Sequence, residues 1–197
     1  NINAFGQSKL KMQKTKVLLI IDQSYSMNNV LSVKLKKDVV KEELGIFIDK
    51  TAVYGELELG ARLFGHQFPN QVYNCNDTKL EIPFDIENGN KIKALLAKTQ
   101  AIGTSPIESS LARIEGDYLD DTFHKRVVIL IADGADACNS NICSTYKQLI
   151  ETGRYVDIFM VGLNVPEEFT ETFACITSYK NCKTEQEVRA YFEEIFQ

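Results

Sequence analysis

The sequence predicts an α/β fold in which a twisted, mostly parallel sheet carries helices on both faces and one antiparallel edge strand. Three observations carry that prediction. Val17–Ile21 (VLLII), Val127–Ile131 (VVILI) and the stretch from Val156 to Val161 are short, continuous apolar runs rich in β-branched residues. Such runs are the habit of strands buried on both faces of a parallel sheet. Between them lie segments of helical period, at Leu31, Leu35, Val39, Val40, Leu44 and Phe47, and again at Ile142, Tyr146 and Leu149. Two stretches, Glu56–Leu63 and Lys79–Phe84, instead alternate polar with apolar residues, and Pro83 keeps the second out of any central position because it cannot donate to a ladder.

In chain order the elements follow from these patterns. The first strand is Val17–Ile21, and the helix of period three and four follows from Leu31 to Phe47. Glu56–Leu63 and Lys79–Phe84 form a hairpin at the sheet edge, joined by the polar loop HQFPNQVYNCNDT. Helices are expected over Asn90–Thr99 and Ile107–Leu119, the second opened by Pro106, whose missing N–H costs nothing in a first turn. The strand at Val127–Ile131 leads to a helix around Ile142–Leu149 and a strand at Val156–Val161. Pro166–Thr177 and Glu185–Phe196 read as the last helices, with a short strand at Tyr179–Cys182 between them. Six strands and alternating helices make a doubly wound, Rossmann-like sheet, in which ligands sit beyond the carboxyl ends of the strands.

Length and composition agree. A chain of 197 residues suits one domain, here residues 16–197, with 1–15 as an N-terminal leader or extension. The leader holds Lys9, Lys11 and Lys14 next to Lys16, with no aromatic residue interleaved, and reads as a solvated segment. The net charge of -5 argues against nucleic acid as a partner. No apolar run approaches the ~18 residues that cross a bilayer, so direct membrane insertion is not expected. The 5 cysteines cannot all pair within one chain. Cys138 and Cys143 flank a short loop, Cys175 and Cys182 lie close together, and Cys75 stands apart. Disulfides in an oxidising compartment, buried thiols and a zinc site are all open at this point.

The chemistry gathers at strand ends. The run KVLLIIDQSYSM places Asp22, Ser24 and Ser26 at the carboxyl end of the first strand, and VVILIADGAD places Asp133 at the tip of another, with Asp136 three residues on. Two carboxylates at one sheet edge repel unless one is protonated or a cation lies between them. Carboxylate and hydroxyl oxygens, with no histidine or thiolate, suit a hard ion: magnesium, with calcium or manganese as alternatives. Residues two apart can face the same way after a strand, so Ser24 and Ser26 can both turn to the ion. A third loop, AIGTSPIESSL, offers Thr104 and Ser105.

DQSYS, GTSP and DGAD, in that order and at those elements, resemble the metal-ion-dependent adhesion site of von Willebrand factor A domains. ARLFGHQ, TSPIESSL, ADGADAC and MVGLNVPEEF are similar to bacterial secreted or membrane-associated members. The resemblance covers the chain from about Lys16 onward. It implies that Ser24 and Ser26 bind the ion directly and that Asp22 and Asp133 do so directly or through water. The family's G-x-T-P pattern, aligned on Pro106, puts Ser105 in the threonine position, so Ser105 and Thr104 both stay as third-loop ligands. It further implies binding rather than turnover, an Asp or Glu of a partner protein completing the coordination sphere.

An interaction module is therefore expected, not an enzyme, and an extracytoplasmic location is favoured over a cytoplasmic one. The alternatives are an adaptor subunit that recruits a separate AAA+-type ATPase, and a metal-dependent hydrolase in which Asp136 would have to act as base. Asp136 reads equally as a water-mediated contact to the ion or as the cap of the helix that follows it. His66 and His124 have no ligand-spaced partner and read as ordinary hydrogen-bonding side chains. Tyr25, on the metal loop, either touches a partner or packs beneath the loop.

Overall fold

A computed structural model of the chain describes residues 14–196 apart from 56, 120–124, 135, 139–140 and 153–154. His124, Glu56 and most of the basic leader therefore lie outside the described residues. The strands are β1 (Thr15–Asp22), β2 (Val30–Leu31), β3 (Lys34–Leu35), β4 (Leu57–Phe64), β5 (Thr78–Asp85), β6 (Lys125–Ala132), β7 (Asp157–Leu163) and β8 (Ser178–Cys182). The helices are α1 (Lys36–Thr51), α2 (Gly89–Lys98), α3 (Ile107–Leu111), α4 (Ile114–Tyr118), α5 (Ile142–Glu151) and α6 (Glu185–Ile195). Six strands form one sheet in the order β5-β4-β1-β6-β7-β8, parallel throughout except for β5 at the edge, while β2 and β3 make a separate small hairpin.

The apolar runs become the centre of this sheet. Every residue of Val17–Ile21 is buried, and successive side chains go to opposite faces, as a pleated strand requires. Val17, Leu19 and Ile21 pack with residues of α1, α2 and α6, whereas Leu18 and Ile20 pack with those of α3, α4 and α5. The loop after β1 leads to α1 on one face and the loop after β6 to α5 on the other. The crevice that opens where neighbouring strands send their chains apart is the switch point of a doubly wound sheet. Ile21 pairs with Ile131, so the C-terminal tips of β1 and β6 lie level at that crevice.

Several expected elements take another form. Leu31 and Leu35 belong to the β2–β3 hairpin rather than to the helix, because Ser32 adopts a left-handed φ of 60° and turns the chain back before α1 begins. The helix expected over Ile107–Leu119 is two short ones: Arg113 N–H bonds to Ser110 O at 3.3 Å, tightening the chain between α3 and α4. Pro106 stands just before α3, in the capping position and not within the first turn. Pro166–Thr177 holds a 3-10 helix over Glu167–Phe173. β4, whose sequence alternates, is nearly all buried because it pairs on both sides. Its buried charged residue, Arg62, is held by Asp117 of α4 at 2.6 and 2.7 Å. Thr15, read as leader, is the first residue of β1.

The cysteines pair across the fold and not along the chain: Cys75 with Cys138, and Cys143 with Cys175. Cys182 is free and buried at the end of β8, packed in the core beneath α1 and α6. Neighbours in sequence have different partners: Cys138, in the loop after β6, joins Cys75, and Cys143, in the first turn of α5, joins Cys175. The first bridge joins the β4–β5 loop to the loop after β6, closing a stretch with a sequence separation of 63. Cys138→Ser should then cost about 2–4 kcal/mol of unfolding free energy, and Cys75→Ser with Cys138→Ser little more than either alone. Denaturant titrations with and without reductant check this; a Cys143→Ser variant that is non-additive with Cys75→Ser would contradict the pairing.

Candidate metal centre

Three loops meet beyond the tip of β1, and the backbone sews them together. Gln23 N–H bonds to Phe64 O at 2.8 Å, Ile102 N–H to Gln23 O at 3.0 Å, Gly103 N–H to Gly65 O at 2.8 Å and Tyr25 N–H to Gly103 O at 2.9 Å. Asn28 Nδ2 adds a bond to Ala101 O at 2.8 Å. The junction leaves no room for larger residues. Gly65 has a φ of +71°, and a Cβ there would stand 2.5 Å from Thr104 O and 2.8 Å from Ser24 N. Its glycine is required by both conformation and space.

On this frame the expected residues converge. Asp22 is wholly buried; its Oδ1 accepts from Ser24 N–H at 2.6 Å and its Oδ2 from the Ser105 hydroxyl at 3.3 Å. Ser24 and Ser26 hydroxyls lie 3.0 Å apart, and Ser26 Oγ donates to Asp133 Oδ1 at 2.8 Å. Asp22, Ser24, Ser26, Ser105 and Asp133 thus form one connected cluster. Thr104, which is buried, lines the same depression beside Ser105. This depression, of about 480 Å³, is rimmed by Tyr25 and Tyr73. Tyr25 is 59% exposed and so faces outward instead of packing beneath its loop.

Burial, and next the Asp133 carboxylate, push Asp22 up to about 7, against the opposing help of hydrogen bonds from Ser24 and Ser105. The pair is short of positive charge. Part of the deficit is met by a residue that no sequence pattern singles out: Lys36, at the start of α1, sends its Nζ to Asp133 Oδ2 at 2.8 Å. Lys34, Lys36 and Lys37 look alike in the string KLKKD, so no local signal separates them.

Asp136 serves the loops. Its Oδ2 accepts from Glu108 N–H and its Oδ1 from Cys138 N–H, both at 2.6 Å, so it caps α3 and steadies the turn that carries Cys138. Asp77, fully buried, does the same for the β4–β5 loop by accepting from Gln67 and Phe68 N–H. The Tyr73 hydroxyl donates to Ala137 O, adding a second tie beside the disulfide. His66 bonds through Nε2 to Glu81 at 3.0 Å.

Among the described residues no group of three or more His, Cys, Asp or Glu side chains could hold a metal. The set here is different in kind: two carboxylates and serine and threonine hydroxyls, all oxygen, which fits a hard cation and not zinc. Serine hydroxyls that now donate to carboxylates can rotate to offer lone pairs instead. The mutual repulsion of Asp22 and Asp133 is the feature that a cation would relieve.

No family model and no curated protein sequence matches this chain. Solved structures do. The pilus adhesin SpaC from Lactobacillus rhamnosus GG superposes with a TM-score of 0.73 at 13% identity, covering 94% of this chain and 30% of the adhesin. An aerotolerance-related membrane protein from Bacteroides fragilis matches with a TM-score of 0.71 at 13% identity, covering 91% of this chain and 97% of that one. The SpRpn10 VWA domain matches with a TM-score of 0.69 at 9% identity, over 91% and 94% of the two chains. This chain therefore spans under a third of the adhesin's length. It has the von Willebrand factor A fold.

The raised Asp22 carboxyl sets a pH dependence for the metal-free protein. Its folded value, about 7, lies above the ordinary 3.8. Between those values the folded form keeps a proton that the unfolded chain has lost, so stability falls as pH rises from about 4 to about 7. In chelator, Asp22→Asn should flatten that decline and be the more stable protein above neutrality. Urea titrations from pH 4 to 8 measure it; parallel profiles for the two proteins would contradict it.

Proposed function

We propose that this domain, built on the von Willebrand factor A fold, is a metal-dependent interaction module that grips an Asp or Glu side chain of a partner protein. The convergence of Ser24, Ser26, Ser105 and Asp133 on the lining of an exposed depression, with Asp22 buried beneath them, is the observation that carries the reading. Ser24, Ser26 and Ser105 would hold a divalent cation, magnesium first and calcium or manganese as alternatives, with Asp22 and Asp133 bound directly or through water. Thr104 stands next to Ser105 and takes its place only if the loop shifts. When bound, the cation supplies an open coordination position for an incoming carboxylate oxygen.

The chain's own residues do the rest. Backbone bonds among the three loops hold the hydroxyls in place before any ligand arrives, which lowers the ordering cost of binding. Tyr25 and Tyr73 stand at the rim, where exposed aromatic faces can cover the apolar part of a partner's acidic side chain and limit access of water.

A hydrolase reading finds less support. Both oxygens of Asp136 are taken by backbone N–H groups, and His66 is engaged with Glu81, so neither is free to act as base. An adaptor for a cytosolic ATPase fits poorly with two disulfides, which persist in oxidising compartments. They favour an extracytoplasmic setting, and sharing a fold with a pilus adhesin agrees with an adhesive role. Among the described residues no helix is long and apolar enough to cross a membrane. The net charge of -5 remains unsuited to nucleic acid.

Calorimetry with magnesium and manganese tests the site. One ion should bind per chain, and Asp22→Ala or Ser26→Ala should weaken it at least about tenfold, since changes to supporting residues alone cost roughly 10–100-fold, with circular dichroism unchanged. Capture of extracellular proteins in magnesium should be lost in chelator and in Asp22→Ala; equal retention in all three would contradict the mechanism.

A further inference from the structure

We propose that Lys36 is a tethered counter-ion of this site: its ammonium group holds Asp133 when no divalent ion is bound, and it competes with that ion for the same carboxylate. The inference rests on the reading of the cluster as a cation site and concerns how that site is set.

The geometry is specific. Lys36 Nζ lies 2.8 Å from Asp133 Oδ2, and the two side chains are only 8% and 3% exposed. The other Asp133 oxygen takes the Ser26 hydroxyl at 2.8 Å, so both oxygens of this carboxylate are engaged. Lys36 thereby joins a chain of contacts running through Asp133 and Ser26 to Ser24. Its neighbours in sequence are committed elsewhere: Lys34 to Glu42 and Glu185, and Lys37 to the Asn28 side chain. Only Lys36 of the three turns into the cluster.

Ordinary helix chemistry does not explain a lysine there. Lys36 is the first residue of α1, where the positive end of the helix dipole disfavours a cation. Burying an ammonium group is costly as well unless it is paired. What places it is the β2–β3 hairpin, which ends at Leu35, and the bond from Lys36 N–H to Asn29 O at 2.9 Å, which pins the start of α1 to the metal loop. Asp133 is the compensation for both penalties.

The consequence is negative coupling. A divalent ion drawn to Asp133 meets a positive charge already in contact with it, and each weakens the other's hold by the same factor. The lysine stem is long and its ammonium rotates freely, so the group can withdraw with the backbone unchanged. Lys36 thus keeps the metal-free site from flying apart and sets a threshold of ion concentration below which it stays in place.

The test titrates manganese and magnesium into the wild-type domain, Lys36→Met and Asp22→Ala, and records thermal unfolding of each in chelator. Lys36→Met should bind manganese about tenfold more tightly, within the range usual for coupled ligands. It should unfold at a lower temperature than wild type in chelator and recover when metal is added. Lys36→Gln, which keeps a hydrogen-bond donor without the charge, should shift affinity in the same direction if Lys36→Met does not fold. Equal or weaker binding by the Lys36 variants, with Asp22→Ala still abolishing it, overturns this inference alone. Absence of binding to every protein overturns it together with the reading it rests on.

Discussion

Two carboxylates forced together at the tips of adjacent strands are the constraint on which the rest of the molecule turns. β1 and β6 are parallel neighbours in register, so Asp22 at the end of one and Asp133 just past the end of the other cannot avoid each other. One is fully buried, the other nearly so, and water screens them poorly. A protein that gained nothing from this arrangement would relieve it with a neutral residue. Here the surroundings instead supply Ser24, Ser26, Ser105 and Lys36, each bonded to one carboxylate or to a group that is. Their shared effect is to hold negative charge at a fixed place beneath an opening to solvent.

The frame that resists this repulsion is mostly backbone. The loops after β1 and β4 and the loop before α3 are tied by main-chain bonds that pass through Gly65 and Gly103, two positions where no side chain fits. A fourth loop, carrying Asp133, is anchored by Asp136 on α3 and by the Cys75–Cys138 bridge to the β4–β5 loop. Tyr73, held in a left-handed conformation, reaches the same turn. Rigid support of this kind is what a binding site built from hydroxyls needs, because each hydroxyl contributes little and must already be in position.

Much of this was legible in the sequence because it is local. Val17–Ile21 followed by Asp22, Ser24 and Ser26 announces a buried strand and its polar tip within a dozen residues, and Val127–Ile131 with Asp133 repeats the pattern. Pro83 marked the edge strand for a local reason too, its missing donor. What escaped depends on distant parts of the chain. Cys75 meets Cys138 only where the β4–β5 loop reaches the loop after β6, so spacing along the chain left the connectivity open. Asp136 caps α3 and not the helix that follows it, whose cap is Asn141, because Glu108 in the first turn of α3, far from it in sequence, lies beside it. Lys36 was hidden among look-alike lysines, and Leu31 and Leu35 kept helical spacing although the turn at Ser32 places them in a hairpin. Of the two adjacent hydroxyls of the third loop it is Ser105 that bonds to Asp22, a choice that spacing alone does not encode.

The most direct measurement of the central claim is a crystal structure of the domain grown with manganese, with anomalous diffraction collected at the metal edge. The account predicts a single strong peak at bonding distance from the Ser24 and Ser26 hydroxyls, above Asp22 and Asp133, with Lys36 drawn back from Asp133. Well-ordered loops with no anomalous density among these residues, and Lys36 still seated on Asp133 in saturating manganese, would contradict it.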